Sequence, residues 1–323
     1  MADAGKRVRA GVVGVGHLGA LHAAKYAEAA GADLVAVFDR DGARARAVAE
    51  HHGCRAAATL DELLGCVDAV SVAVPAVAHA EVGCRAAAAG VHMLVEKPLA
   101  ADTPSARSLV AAAESAGVIL QVGHLERFNP VFDELRRRID RPRFLECHRL
   151  SQFAGRGVDT NVVFDVMIHD LDIIAYLVGE PVARVEAVGV PVLSREVDIA
   201  NARIRFAGGC IANVTASRVS FKRERKLRIF QEDTYFSLDF EARNAVIARR
   251  TESAAGVNDA NATVGIEVET LSFADADPLR AEIDAFLTSV ATGTAPVVSG
   301  ADGLGALAIA DLVVGALEVP DEG

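Results

Sequence analysis

The sequence predicts two domains of different architecture. Residues 1–123 read as an α/β domain built on a doubly wound parallel sheet. Residues 124–323 read as an α+β domain with a mainly antiparallel sheet. Three observations carry this. Apolar runs alternate with helix-period segments through the first third, the grammar of a parallel sheet covered by helices. A glycine-spaced turn, Gly14-x-Gly16-x-x-Gly19, leaves the first apolar run and opens a helical pattern. After Gly123 the alternation stops, and from Val182 short strands follow one another.

The elements follow in order. The spacing predicts a strand over Arg7–Val13, a helix from Gly16 to about Gly31, a strand over Leu34–Phe38 and a helix over Ala43–His52. Thr59-Leu60-Asp61-Glu62 reads as a capping box. Asp68–Val74 is nearly continuous apolar sequence, as in a strand buried on both faces, and Pro75 stops it. A helix through Glu81–Ala89 ends at Gly90, and Val91–Val95 is the next strand. Thr103-Pro104 reads as an N-cap followed by a proline at the first helical position, opening a helix to Ala116. Val118–Val122 completes the series. Beyond it come a helix over Pro130–Ile139, a strand near Arg143–Leu150, a glycine-bearing loop 154–160 and a helix over Val163–Val178. Gly208-Gly209 marks a hairpin between Ala202–Phe206 and Cys210–Ala216. Lys226–Phe230 and Tyr235–Phe240 are further strands, 250–261 a polar loop, and helices run from Asp277-Pro278 to Thr292 and over Asp302–Leu317.

Composition narrows the function. The chain has 323 residues, 51% of them apolar and 24% charged, which suits two packed cores. A net charge of −11 argues against general affinity for nucleic acid or an anionic membrane surface. No apolar stretch is long enough to span a bilayer. Met1–Gly5 leads straight into the first strand, and the five scattered cysteines contain no C-x-x-C, so reduced thiols in a cytoplasmic protein are expected, with no metal centre.

The glycine turn has the spacing of a dinucleotide site. Gly14 allows the tight turn, Gly16 lets backbone approach a pyrophosphate, and Gly19 lets the helix pack on the strand. The helix N-terminus then favours phosphate. His17 and Leu18 lie inside the turn, and Pro75 stands at the end of the third apolar run; all are candidate cofactor contacts. Asp39 ends the second strand where a carboxylate can take the ribose hydroxyls of NAD. The adjacent Arg40 suits a 2′-phosphate, which keeps NADP as the alternative.

Two further constellations carry chemistry. Glu96-Lys97-Pro98 lies at the carboxyl end of a parallel strand, where ligands bind in open α/β sheets. Lys97 there can hydrogen-bond a substrate hydroxyl or steady an alkoxide; a surface lysine in a turn is the alternative, and Pro98 can hold a cis bond. Asp165, His169 and Asp172, at helical spacing, form one polar stripe on an apolar helix. An imidazole beside a carboxylate suits general base work; a helix-face ion network and a metal site are the alternatives. Lys222–Arg228 is a basic run, read as a solvated edge or an anion site.

In this order the three motifs resemble the signature of the Gfo/Idh/MocA oxidoreductases, over essentially the whole chain. The resemblance implies a Rossmann domain, a sheet-bearing second domain that makes homodimers or homotetramers, and hydride exchange between NAD(P) and a sugar or polyol carbon. It implies that Lys97, His169 and Asp165 are catalytic and substrate-binding, and that Glu96, Lys97 and His79 serve on the cofactor side. The stretches Gly123–Pro130 and Glu146–Ser151 are similar to the branch that oxidises the 3-hydroxyl of UDP-N-acetylglucosamine for lipid A diamino-sugar synthesis. Such a diphosphate calls for specific cations, with Arg149, Arg156 and the Lys222–Arg228 run as candidates. The alternatives are a UDP-N-acetylglucosaminuronate 3-dehydrogenase, an inositol- or glucose-type dehydrogenase, and a non-catalytic NAD(P)-binding regulator. The presence together of Lys97, Asp165 and His169 favours an enzyme over the last.

Overall fold

The computed structural model describes residues 7–153, 160–251 and 265–318. They form two compact units. One comprises the chain to Phe128 together with Asp277–Ala308, the other Asn129–Ala276 with the chain from Ile309.

The first unit alternates as expected: β1 (Val8–Val13), α1 (His17–Glu28), β2 (Ala32–Phe38), α2 (Gly42–His52), β3 (Arg55–Ala56), α3 (Leu60–Leu64), β4 (Ala69–Val72), α4 (His79–Ala88), β5 (His92–Glu96), α5 (Thr103–Ala116) and β6 (Leu120–Gly123). The strands are all parallel in the order β3-β2-β1-β4-β5-β6. Strand order reverses between β1 and β4, and the crevice outside their carboxyl ends is where such sheets bind ligands. All four residues of β4 are buried, which explains its unbroken apolar sequence. One cap differs from expectation. Asp102, not Thr103, caps α5, its carboxylate accepting the Ser105 N–H at 2.7 Å. Pro104 still falls in the first turn, where a missing N–H costs nothing.

The second unit contains α6 (Pro130–Leu135), β7 (Phe144–Leu150), a π-helical turn over Val163–Met167 that leads into α7 (Ile168–Val178), and the strands β8 (Val182–Val190), β9 (Ile199–Phe206), β10 (Ile211–Ser217), β11 (Glu224–Gln231), β12 (Thr234–Asp239), β13 (Asn244–Thr251) and β14 (Gly265–Ser272). With β15 (Leu317–Glu318) they make one nine-stranded sheet, β14-β13-β12-β11-β7-β10-β9-β8-β15. It is mainly antiparallel, but β7 pairs in parallel with β10, and β8 with β15. One face carries the core, where Leu145, Cys147, Leu227 and Ile229 meet Met167, Leu171 and Ile174. The expected loop 250–261 falls largely outside the described residues, and β13 runs through its first two positions.

Two helices close the chain, α8 (Pro278–Thr292) and α9 (Gly300–Gly315). A single boundary at Gly123 would place both in the second domain. Instead α8 returns to the first unit, where Ile283, Phe286 and Leu287 pack with Val12, Ala23 and Tyr26. An amphipathic stripe states that a helix has a core to join, not which core. None of the described helices is long and apolar enough to cross a membrane, and the five cysteines are free thiols.

Phe286 is fully buried in the first unit's core. Phe286→Ala is therefore expected to destabilise the fold by about 3–5 kcal/mol, read as a lowered urea midpoint.

Candidate active site

The cofactor cradle is built at the carboxyl end of β1. Gly14 takes φ +83°, and its N–H donates to the Phe38 carbonyl at 2.7 Å. A Cβ at Gly14 would stand 2.8 Å from the Ala73 carbonyl oxygen, and one at Gly19 would collide with the carbonyl of Gly14. Both positions therefore require glycine. At Gly16 a Cβ would meet nothing within 4 Å; it would fill open space in a cavity of about 840 Å³. Gly14, Gly16, Asp39, Arg40, Thr59 and Pro75 are among its walls. Helix α1 starts there without a side-chain cap, and His17 and Leu18 are exposed in its first turn. Asp39 is pinned at the wall: Oδ2 accepts the Val15 N–H and Oδ1 the Asp41 N–H, both at 2.8 Å. A carboxylate has acceptor capacity beyond two such bonds. Uncapped N–H groups for a pyrophosphate and a fixed carboxylate for ribose hydroxyls fit NAD.

Beside it, β5 delivers Glu96, Lys97 and Pro98. The Lys97–Pro98 bond is cis. His79 is buried at the start of α4, with Nδ1 2.8 Å from the Pro98 carbonyl and Nε2 2.8 Å from the Val74 carbonyl. It thus ties the segment after β4 to the segment after β5. Burial pushes His79 below the ordinary imidazole range, against the pull of the two carbonyls. Glu96 is buried, its Oε2 accepting the Lys97 N–H at 3.3 Å and its Oε1 lying 3.0 Å from His22 Nε2.

In the second unit, Asp165 and His169 are half-buried while Asp170 and Asp172 are buried. Asp165 lies in the π turn, and His169 follows in the first turn of α7. Single π turns recur at functional sites. The structure corrects the roles expected of several cations. Arg149 is only 5% exposed, and its Nε and Nη2 donate to Asp170 at 3.0 and 2.8 Å. It is committed to α7 and not presented to a diphosphate. In the basic run, Lys222 pairs with Glu224, Arg223 with Glu241 at 3.6 Å, Lys226 with Asp239 at 4.0 Å and Arg228 with Glu146 at 2.7 Å. Lys222 and Arg223 stay largely exposed within these pairs, as on a solvated edge. Arg156 lies outside the described residues. Sequence reasoning missed the Arg149–Asp170 pair and the contact of Glu96 with His22, because no local spacing links partners on different elements.

Comparison with known proteins agrees with this geometry. Residues 8–124 match the family model described as oxidoreductase family, NAD-binding Rossmann fold. Residues 134–237 match the GFO/IDH/MocA C-terminal domain. The chain is 40% identical to the UDP-N-acetylglucosamine 3-dehydrogenase of Acidithiobacillus ferrooxidans, over 94% of this chain and 95% of that one. A solved structure of that enzyme superposes with a TM-score of 0.89 at 38% identity, covering 97% of this chain and 98% of that one. The inositol 2-dehydrogenase of Rhizobium meliloti is 28% identical over 95% and 96% of the two chains. A levoglucosan dehydrogenase solved with NADH and levoglucosan, at 20% identity, covers 96% of this chain and 97% of its own with a TM-score of 0.84, a likeness of fold. The chain belongs to the Gfo/Idh/MocA family of NAD-binding oxidoreductases.

Proposed function

We propose that this enzyme oxidises the 3-hydroxyl of UDP-N-acetylglucosamine to the 3-keto sugar, with a place in lipid A diamino-sugar synthesis. The observation that carries the reading is the 40% identity, over nearly the whole of both chains, to a relative named for that reaction. The Gly123–Pro130 and Glu146–Ser151 stretches support it from the sequence. Bound NAD supplies the hydride acceptor. Gly14, Gly16, His17, Leu18, Gly19, Asp39, Arg40, Pro75, His79 and Glu96 serve its binding. Lys97 holds the reacting oxygen and stabilises negative charge on it. His169, with Asp165, takes the hydroxyl proton. Arg156 stays the proposed cation for the diphosphate. The second unit's sheet is the proposed oligomer interface; its half-exposed Phe230 stacks against Phe144 and Tyr235 on one face.

Three outcomes test this reading. Asp39 would repel a 2′-phosphate, so titration should show NADH binding more tightly than NADPH. Asp39→Ala should weaken NADH by about 10–100-fold, the worth of a charged hydrogen bond. Tighter NADPH binding to the unaltered protein would make Arg40 the determinant. His169→Asn should lower turnover by about 10²–10⁴-fold with NAD affinity little changed; near-normal turnover removes His169 from the mechanism. Finally, because alcohol oxidation by NAD is uphill at neutral pH, the reaction should be coupled to an aminotransferase. A 3-amino sugar nucleotide found by mass is the expected product. Turnover of inositol or glucose without that product would favour the polyol reading, which the inositol dehydrogenase relatives support.

A further inference from the structure

Behind Lys97 the first unit buries more ionisable groups than its fold requires. Glu282, on α8, is 0% exposed, and among the described residues neither of its carboxyl oxygens has a hydrogen-bond partner. One ligand atom each from Glu282, Glu96 and His22 lie within 4.8 Å of one another. Gly123 leaves room for this group, since a Cβ there would stand 2.9 Å from the Glu96 carboxyl. From His22 a chain of bonds leads further inward: Nδ1 lies 2.9 Å from Ser71 Oγ, which lies 2.9 Å from Tyr26 Oη. Gln121 holds the α8 backbone in place, its Nε2 donating to the Glu282 carbonyl at 3.0 Å.

One assignment of protons satisfies the chain from Tyr26 to His22 Nδ1. Tyr26 donates to Ser71 and Ser71 donates to His22 Nδ1, which leaves Nε2 facing Glu96 Oε1 at 3.0 Å without a hydrogen bond. Glu96 accepts the Lys97 N–H on Oε2 and has His22 Nε2 beside Oε1. Two buried carboxyls this close cannot both be ionised. The proton belongs on Glu282, which lacks a donor such as Glu96 has in the Lys97 N–H. Burial and the charge of Glu96 both push the Glu282 carboxyl well above the ordinary glutamate value. The same burial keeps Tyr26 a neutral phenol.

We propose that Glu282 is a neutral acid in the folded enzyme, and that with His22 it fixes the Glu96 carboxylate and through it the backbone of Lys97. Glu282 and His22 are then positioning residues for the reaction. The positioning part rests on the role proposed for Lys97; the proton part does not.

Two measurements test the two parts separately. The first is stability against pH for the unaltered protein and Glu282→Gln, an amide of the same shape that carries no ionisable proton. The folded state holds a proton that the unfolded chain releases above the ordinary glutamate value of 4.5. Relative to Glu282→Gln, the folding equilibrium of the unaltered protein should therefore weaken about tenfold per pH unit above that value, until the raised folded value is reached. Below the ordinary value the difference between the two should no longer depend on pH. Parallel curves overturn the proposal, as does a stoichiometric metal ion in the purified protein that Glu282→Gln loses. The second measurement is turnover of UDP-N-acetylglucosamine against pH. Glu282→Leu should lower kcat by about tenfold or more, while Glu282→Gln restores it. Full activity in Glu282→Leu, or a Glu282→Gln as impaired as Glu282→Leu, overturns the positioning role. If the unaltered enzyme does not turn over this sugar, the substrate reading fails and the stability result stands.

Discussion

The packing of the start of α1 against the end of β1 is the constraint on which the first unit depends. The α1 backbone at Gly19 comes so close to the carbonyl of Gly14 that no side chain fits between them. That approach aims the helix N-terminus at the switch point of the sheet, where β1 and β4 part. Neighbouring elements are then tied to the same turn. The Gly14 N–H bonds the end of β2 at Phe38, and the Val15 N–H bonds Asp39. The Ala73 N–H, just past β4, donates to the Val13 carbonyl at 2.9 Å. The cavity walls are thus set by main-chain bonds between strand ends, which leaves few torsions to be ordered when a cofactor binds.

The charge of −11 has a different meaning once the second unit is described. Among the described residues, two of its buried cations face carboxylates. Arg149 faces Asp170, and Arg218 donates to Asp198 at 2.7 Å. Burial works against ionisation of Asp198, yet the bonds from Arg218 and Ser194 hold its carboxyl well below the usual range. Such pairs add little net stability over an apolar packing, but removing one partner leaves a costly buried charge. They fix loops and α7 in one arrangement. A count of arginines near a proposed anion site therefore overstates what is available to a ligand.

What was legible in the sequence follows from the range of the interactions. The glycine turn, the buried β4 and the Gly208-Gly209 hairpin are local, and each appears where its pattern stands. The family motifs around Lys97 and His169 were legible for the same reason. The destination of α8 was not, because its apolar stripe would suit either core. The π turn at Val163–Met167 was not, because one widened turn leaves the apolar spacing of a helix almost unchanged. Arg149 was assigned to a ligand because its partner Asp170 is 21 residues away. Glu282 offered no signal: a glutamate in an amphipathic helix is normally on the wet side, and only the fold puts this one inside.

Lys97 shows how these long-range contacts bear on chemistry. A lysine on a turn would ordinarily sample many orientations, and fixing it costs entropy at each turnover. Here the backbone on either side is held from different elements. His79, on α4, grips the Pro98 carbonyl, and Glu96 holds the Lys97 N–H. Both holders are buried, so solvent does not compete for their hydrogen bonds. Glu96 places a polar carboxyl group in that interior, where burial without partners is costly. His22 and Glu282 each bring a polar atom within 4.8 Å of it. The ordering of the lysine is done when the chain folds, at the cost of a buried carboxyl cluster that contributes nothing to the core it occupies.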